Sequence, residues 1–101
     1  MIRVTCAGTS LTIQGHAGAA PYGQNLVCAA VSALVYALAQ RLTEQEGAFE
    51  RPPVIRLEPG SAEITAFPSA DYAVRVQEDF RLIQSGLCLM ETHYPEQLKI
   101  S

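Results

Sequence analysis

The sequence predicts an α+β fold, in which a small, largely antiparallel sheet packs against two helices. Short stretches that alternate apolar and polar residues read as half-buried strands, and two longer stretches repeat their apolar residues every three or four positions, as helices do. The order strand, strand, helix occurs twice and is followed by a short final strand, which suits helices packed on a small sheet. At 101 residues the chain has room for one domain, residues 1–101, with a single core. Its 49% hydrophobic content against 17% charged residues excludes a disordered chain.

Residues 1–7 place Ile2, Val4 and Cys6 on one face and Arg3 and Thr5 on the other. Gly8, Thr9 and Ser10 supply turn chemistry, and Leu11 and Ile13 resume the alternation, so the first two strands make a hairpin that ends at Gly15. Residues 15–23 contain three glycines, a proline, three alanines and a tyrosine, and read as a loop. A helix is expected from Asn25, its N-cap, through Leu26, Val27, Val31, Leu34, Val35, Leu38 and Leu42 to a left-handed cap near Gly47. Residues 47–53 read as a connector, because Pro52 and Pro53 bar helix continuation. A second strand pair, residues 54–58 and 62–67, flanks the turn signal Pro59, Gly60, Ser61. Ser69 is expected to cap a second helix, whose Tyr72, Val76, Phe80, Ile83, Leu87 and Met90 share a face. Pro95 ends it, and residues 98–101 form the last strand.

Composition narrows the function. A net charge of −3 leaves no cationic footprint, so direct nucleic-acid binding and attachment to anionic lipid are not expected. The start of the chain lacks the pattern of a signal peptide, and the apolar run at residues 26–39 is short for a bilayer. Three cysteines cannot all pair within one chain and none forms CxxC, which fits a reduced, cytoplasmic protein. The two histidines and three cysteines lack zinc-finger spacing, so neither metal nor cofactor is expected.

The chemistry concentrates in GHAGAAPYGQNLVCAAVSAL, residues 15–34. With Asn25 as N-cap, Cys28 falls in the first helical turn, where backbone N–H groups favour an anion and could receive an oxyanion. His16 follows directly on a strand end, within reach of Cys28 if the helix packs back across the sheet. Such a pair would perform acyl transfer, the histidine accepting and then returning a proton. On spacing alone Cys28 reads more readily as a small buried hydrophobe than as a nucleophile. Cys6 and Cys88 are expected in the core, His93 as a partner of the helix end, and Ser32 as a hydroxyl bonded within the helix or lining a pocket. Tyr22 is a loop anchor or a substrate contact.

The stretch from Gly15 to Leu34, with the closing YPEQLKI, resembles the ribosomal-processing cysteine proteases (Prp) along nearly the whole chain. By that resemblance Cys28 is the nucleophile and His16 the general base; from the residues themselves, Gly15, Gly18, Tyr22, Gly23 and Ser32 read as loop or substrate-binding positions. The resemblance also implies a homodimer, and as substrate a large-subunit ribosomal protein with an N-terminal extension. The broad apolar face of the first helix and an outward Phe67 agree with a dimer. One position departs: Asn25 stands where the family usually has aspartate. Asparagine caps a helix about as well and can orient a histidine, yet lacks the charge. Competing readings are a non-catalytic dimeric peptide-binding module, a phage-type relative that processes a structural protein, and, last, a small-molecule thiol acyltransferase.

Overall fold

Alternation sets the first strands. A computed structural model describes residues 1–15 and 25–101, and in it β1 (Ile2–Ala7) and β2 (Ser10–Gln14) pair antiparallel across a two-residue turn, where Gly8 takes φ 57°. β2 also pairs antiparallel with β4 (Ser61–Pro68), which pairs in turn with β3 (Phe49–Glu58), while β5 (Leu98–Ile100) joins β1 in parallel. The sheet order is β3-β4-β2-β1-β5, antiparallel at every step but the last, so the α+β class read from the sequence is the class observed.

Both helices lie on the face of the sheet that carries the apolar positions. α1 (Leu26–Glu44) buries Val27, Val31, Val35, Leu38, Ala39 and Leu42, and α2 (Ala73–His93) buries Val76, Phe80, Ile83 and Leu87. They close over Ile2, Val4, Leu11, Ile13, Ile64 and Leu98 to form one core. By length and composition α1 would also pass for a membrane span, but its inner face is a wall of this core. Gly86 lets the helices approach closely, since a Cβ there would stand 3.2 Å from Leu34. At the far end of α1, Gln45 donates to Asp79 (2.6 Å) and Arg41 lies 3.6 Å from the same carboxylate, tying the two helices together.

Several expectations need correction. The connector expected over residues 47–53 is largely strand, because β3 begins at Phe49. Proline is compatible with that position because β3 is an edge strand, and the pairing shifts register between Arg51 and Val54. Leu26, expected on the buried face of α1, is 79% exposed. Ser69 makes no side-chain cap; a short 3-10 turn, Ala70–Tyr72, precedes α2, and the Ser69 hydroxyl donates instead to the Ala48 carbonyl (3.3 Å). Phe67 is half-buried, with the Arg51 guanidinium 3.7 Å from its ring centre, so it adds little to an apolar surface.

Candidate active site

The first turn of α1 is held by one side chain. Asn25 is extended (φ −91°, ψ 122°), and its Oδ1 accepts from the N–H groups of Val27 (2.8 Å) and Cys28 (3.1 Å), while its carbonyl accepts from Ala29 (3.1 Å). These are the contacts an N-cap asparagine is expected to make, and they place Cys28 at the third helical position. The N–H groups of Val27 and Cys28 therefore point at Asn25, and the expectation that they stand ready to receive an oxyanion is not met.

The asparagine's other end is also engaged. Its Nδ2 donates to Oε1 of Gln97 (3.2 Å), in the turn between α2 and β5, so the amide is oriented with its oxygen toward the helix. Gln97 is itself fixed, because its carbonyl accepts from Ile2 N–H (2.8 Å) and its N–H donates to the Tyr94 carbonyl (3.0 Å). The sequence reading assigns Gln97 no role, although it stands inside the YPEQLKI segment that carries part of the resemblance.

Beside this turn opens a cavity of about 170 Å³ between α1 and the end of the sheet. Cys28, Ser32 and Tyr36 face it from one side of α1, and Ile2, Ile13 and Ala62 form an apolar wall. Its rim is Gly15, Leu57 and the β3–β4 turn from Glu58 to Ser61; of these the sequence marks only Gly15 as a site position, and Pro59 to Ser61 only as a turn. Gly15 has φ 97°, and a Cβ there would collide with the Met1 carbonyl oxygen, so only glycine suits the position. Its N–H donates to the Gly60 carbonyl (2.9 Å), which joins the end of β2 to the β3–β4 turn. His16, Gly18, Tyr22 and Gly23 lie outside the described residues.

Comparison with known proteins identifies the family. The model of the family described as "Cysteine protease Prp" matches residues 1–99. The chain belongs to the cysteine protease Prp family. No curated protein sequence is similar enough to count as a match. Among solved structures, the ribosomal processing protease Prp of Staphylococcus aureus, in complex with a covalently linked product peptide, superposes with a TM-score of 0.76 at 21% identity, covering 99% of this chain and 95% of that one. The same protease with a substrate peptide gives 0.71 at 20% identity, with coverage of 99% and 95%. A Streptococcus mutans protein gives 0.75 at 24% identity, covering 100% of this chain and 92% of its own. At these identities the likeness shows a shared fold.

A protease of the Prp family uses a thiol, and the three cysteines here sit in different surroundings. Cys28 is half-buried on the cavity wall. Cys6, on β1, packs against the core, and burial pushes its thiol up, with the neighbouring Cys88 adding to the effect. Cys88, expected in the core, is exposed. The buried stripe of α2 runs through Phe80, Ile83 and Leu87, and Cys88 is one residue, about 100° of helical rotation, beyond it. His93 meets its expectation at the helix end, with Nδ1 3.0 Å from the Leu89 carbonyl. Among the described residues no group of three or more His, Cys, Asp or Glu side chains is placed to hold a metal.

Proposed function

We propose that this Prp-family cysteine protease removes the N-terminal extension of a large-subunit ribosomal protein, with Cys28 as nucleophile and His16 as general base. The observation that carries the reading is the place of Cys28: on the wall of the cavity and in the capped first turn of α1. In the reaction His16 takes the thiol proton, the sulfur attacks the scissile carbonyl carbon, and the proton passes to the leaving amine as the C–N bond breaks. Water then hydrolyses the thioester, releasing the acid and restoring the thiol. Asn25 supports the nucleophile by holding its turn. The name of the S. aureus neighbour, a ribosomal processing protease bound to peptides, supports the choice of substrate.

The protein acts as a homodimer in the cytoplasm on this reading. Leu26, Ala29, Ala30, Ala33, Tyr36 and Ala37 form an exposed, mostly apolar side of α1, suited to burial against a second copy.

The test is to incubate the protein with the extended ribosomal protein from the same genome and follow the N-terminus by mass spectrometry. Wild type should remove the extension, and folded Cys28→Ala and His16→Ala variants should leave it in place. Cleavage by Cys28→Ala would overturn the nucleophile, and an untouched substrate with the folded wild type would overturn the ribosomal assignment. Light scattering at micromolar concentration tests the dimer, and a mass of one chain, 10.9 kDa, would refute it.

A further inference from the structure

We infer that the substrate binds as an added β-strand along the open edge of β3, pairing with the main chain of Ile55 and Leu57 and lowering a side chain into the cavity beside Cys28. The inference rests on the protease reading of Cys28 and extends it to how the peptide is held. β3 is an edge strand, and its last residues, Leu57 and Glu58, line the cavity.

The direction of its hydrogen-bonding groups follows from the ladder. Ala66 N–H donates to the Thr9 carbonyl (2.9 Å) and the Gly60 carbonyl accepts from Gly15 (2.9 Å), so even-numbered positions of β4 face β2. Odd-numbered positions therefore face β3, because adjacent residues of a strand point their N–H and C=O groups to opposite sides. Their partners are Val54 (opposite Thr65), Arg56 (opposite Glu63) and Glu58 (opposite Ser61). Ile55 and Leu57 consequently turn their N–H and C=O groups away from the sheet, toward the open edge.

The side chains complete the picture. Leu57 pairs with Ala62 and Ile55 with Ile64, which puts both on the helix-covered face, and paired residues of neighbouring strands share a face. A peptide residue opposite Leu57 therefore points its side chain toward the same face, into the gap between Leu57 (39% exposed) and Tyr36 of α1 (57% exposed). The residue before or after it points the other way, toward Arg56 and Glu63, which are paired at 2.7 Å.

The edge is guarded unevenly. Pro52 and Pro53 interrupt the first half of β3, where the register shifts, and proline is a common block to strand addition. No proline lies between Val54 and Glu58, the part that reaches the cavity. Strand addition is a recurring way to grip an extended peptide, main-chain bonds giving affinity and alternate side chains giving selectivity. It fits a protease, whose scissile segment must be extended to be attacked.

The test uses peptides from a proteolysed bacterial proteome as substrates, with the fastest-cleaved peptide resynthesised for kinetics. Leu57→Pro removes an N–H that serves no bond within the sheet, and Leu57→Ala trims the side chain but keeps that N–H. We expect Leu57→Pro to lower kcat/KM about tenfold below Leu57→Ala, mainly through KM, the size of effect one lost hydrogen bond produces. Cys28 should still react with iodoacetamide within about twofold of its wild-type rate, since only peptide gripping is altered. Should Leu57→Pro fail to fold, N-methylation of the peptide at successive positions gives the same answer, with losses expected at every second residue. Equal kcat/KM for the two variants, losses without alternation, or a Leu57→Pro change confined to oligomeric state would overturn the inference. If the wild type cleaves no peptide while Cys28 still alkylates, the protease role of Cys28 falls, and strand addition falls with it.

Discussion

The two helices begin in different ways. α1 starts from an asparagine whose oxygen accepts two backbone N–H groups and whose nitrogen is held from across the molecule, whereas α2 winds in through a 3-10 turn with no side-chain cap. Each helix also carries a cysteine, and the contrast continues there. Cys28 is half-buried in the capped turn beside a cavity, and Cys88 is exposed in the middle of α2. On the proposed assignment the fastened end is the one that holds the reacting thiol, whereas the end that frames the core is left to packing.

This contrast can be broken most directly at Asn25. Replacing it with alanine should cost about 1 to 2 kcal/mol of stability, read as a lower urea midpoint, because two N–H groups lose their acceptor. Asn25→Asp keeps the acceptor, and Gln97 can turn its amide to donate, so its loss should stay under about 0.5 kcal/mol. An aspartate variant as damaged as the alanine one would mean that the donor bond to Gln97, not the cap, holds the turn.

A smaller effect should sharpen the difference between the thiols. The Cys6 thiol is pushed up from its ordinary 9.0 by burial first and by Cys88 second. Below that ordinary value both folded and unfolded chains keep the proton, and the full stability is present. As pH rises past it, the unfolded chain gives up its proton first, so stability falls until the higher folded value is passed. Urea unfolding on the alkaline side of neutrality should show wild type declining more steeply with pH than Cys6→Ala. Parallel declines would refute the burial argument.

The smallest effect belongs to the uncapped end. Ser69→Ala should change stability by no more than a few tenths of a kcal/mol, because the hydroxyl holds only a long bond to Ala48. A loss near that of Asn25→Ala would erase the contrast between the helix starts.

Most of the framework is legible from local chemistry. Local patterns marked both long helices and part or all of each described strand, β3 only from residue 54, and Asn25 could be read as a cap because its side chain acts within three residues. The misses are long-range. Nothing local shows that β3 is an edge strand, which is what lets its prolines remain in the sheet. The one-residue offset that exposes Cys88 depends on how α2 is rotated against the sheet. Gln97 meets Asn25 across 72 positions, and Leu57 and Glu58 reach the cavity only because the β3–β4 turn is joined to Gly15. The glycines at 8, 47 and 60 take positive φ where turns or caps were read, since backbone conformation there is set by the residue itself.

The Asn25–Gln97 bond also sets an order of events. Gln97 is positioned through its carbonyl's bond to Ile2 and by β5 lying parallel to β1, a pairing of the first strand with the last. Contacts so distant along the chain form late, because the loop they close is long. During synthesis the first hairpin and α1 emerge well before β5 exists, so the turn that carries Cys28 is fully fastened only once Gln97 has left the ribosome and β5 has docked on β1. Until then the nascent chain carries Cys28 in an unfinished setting.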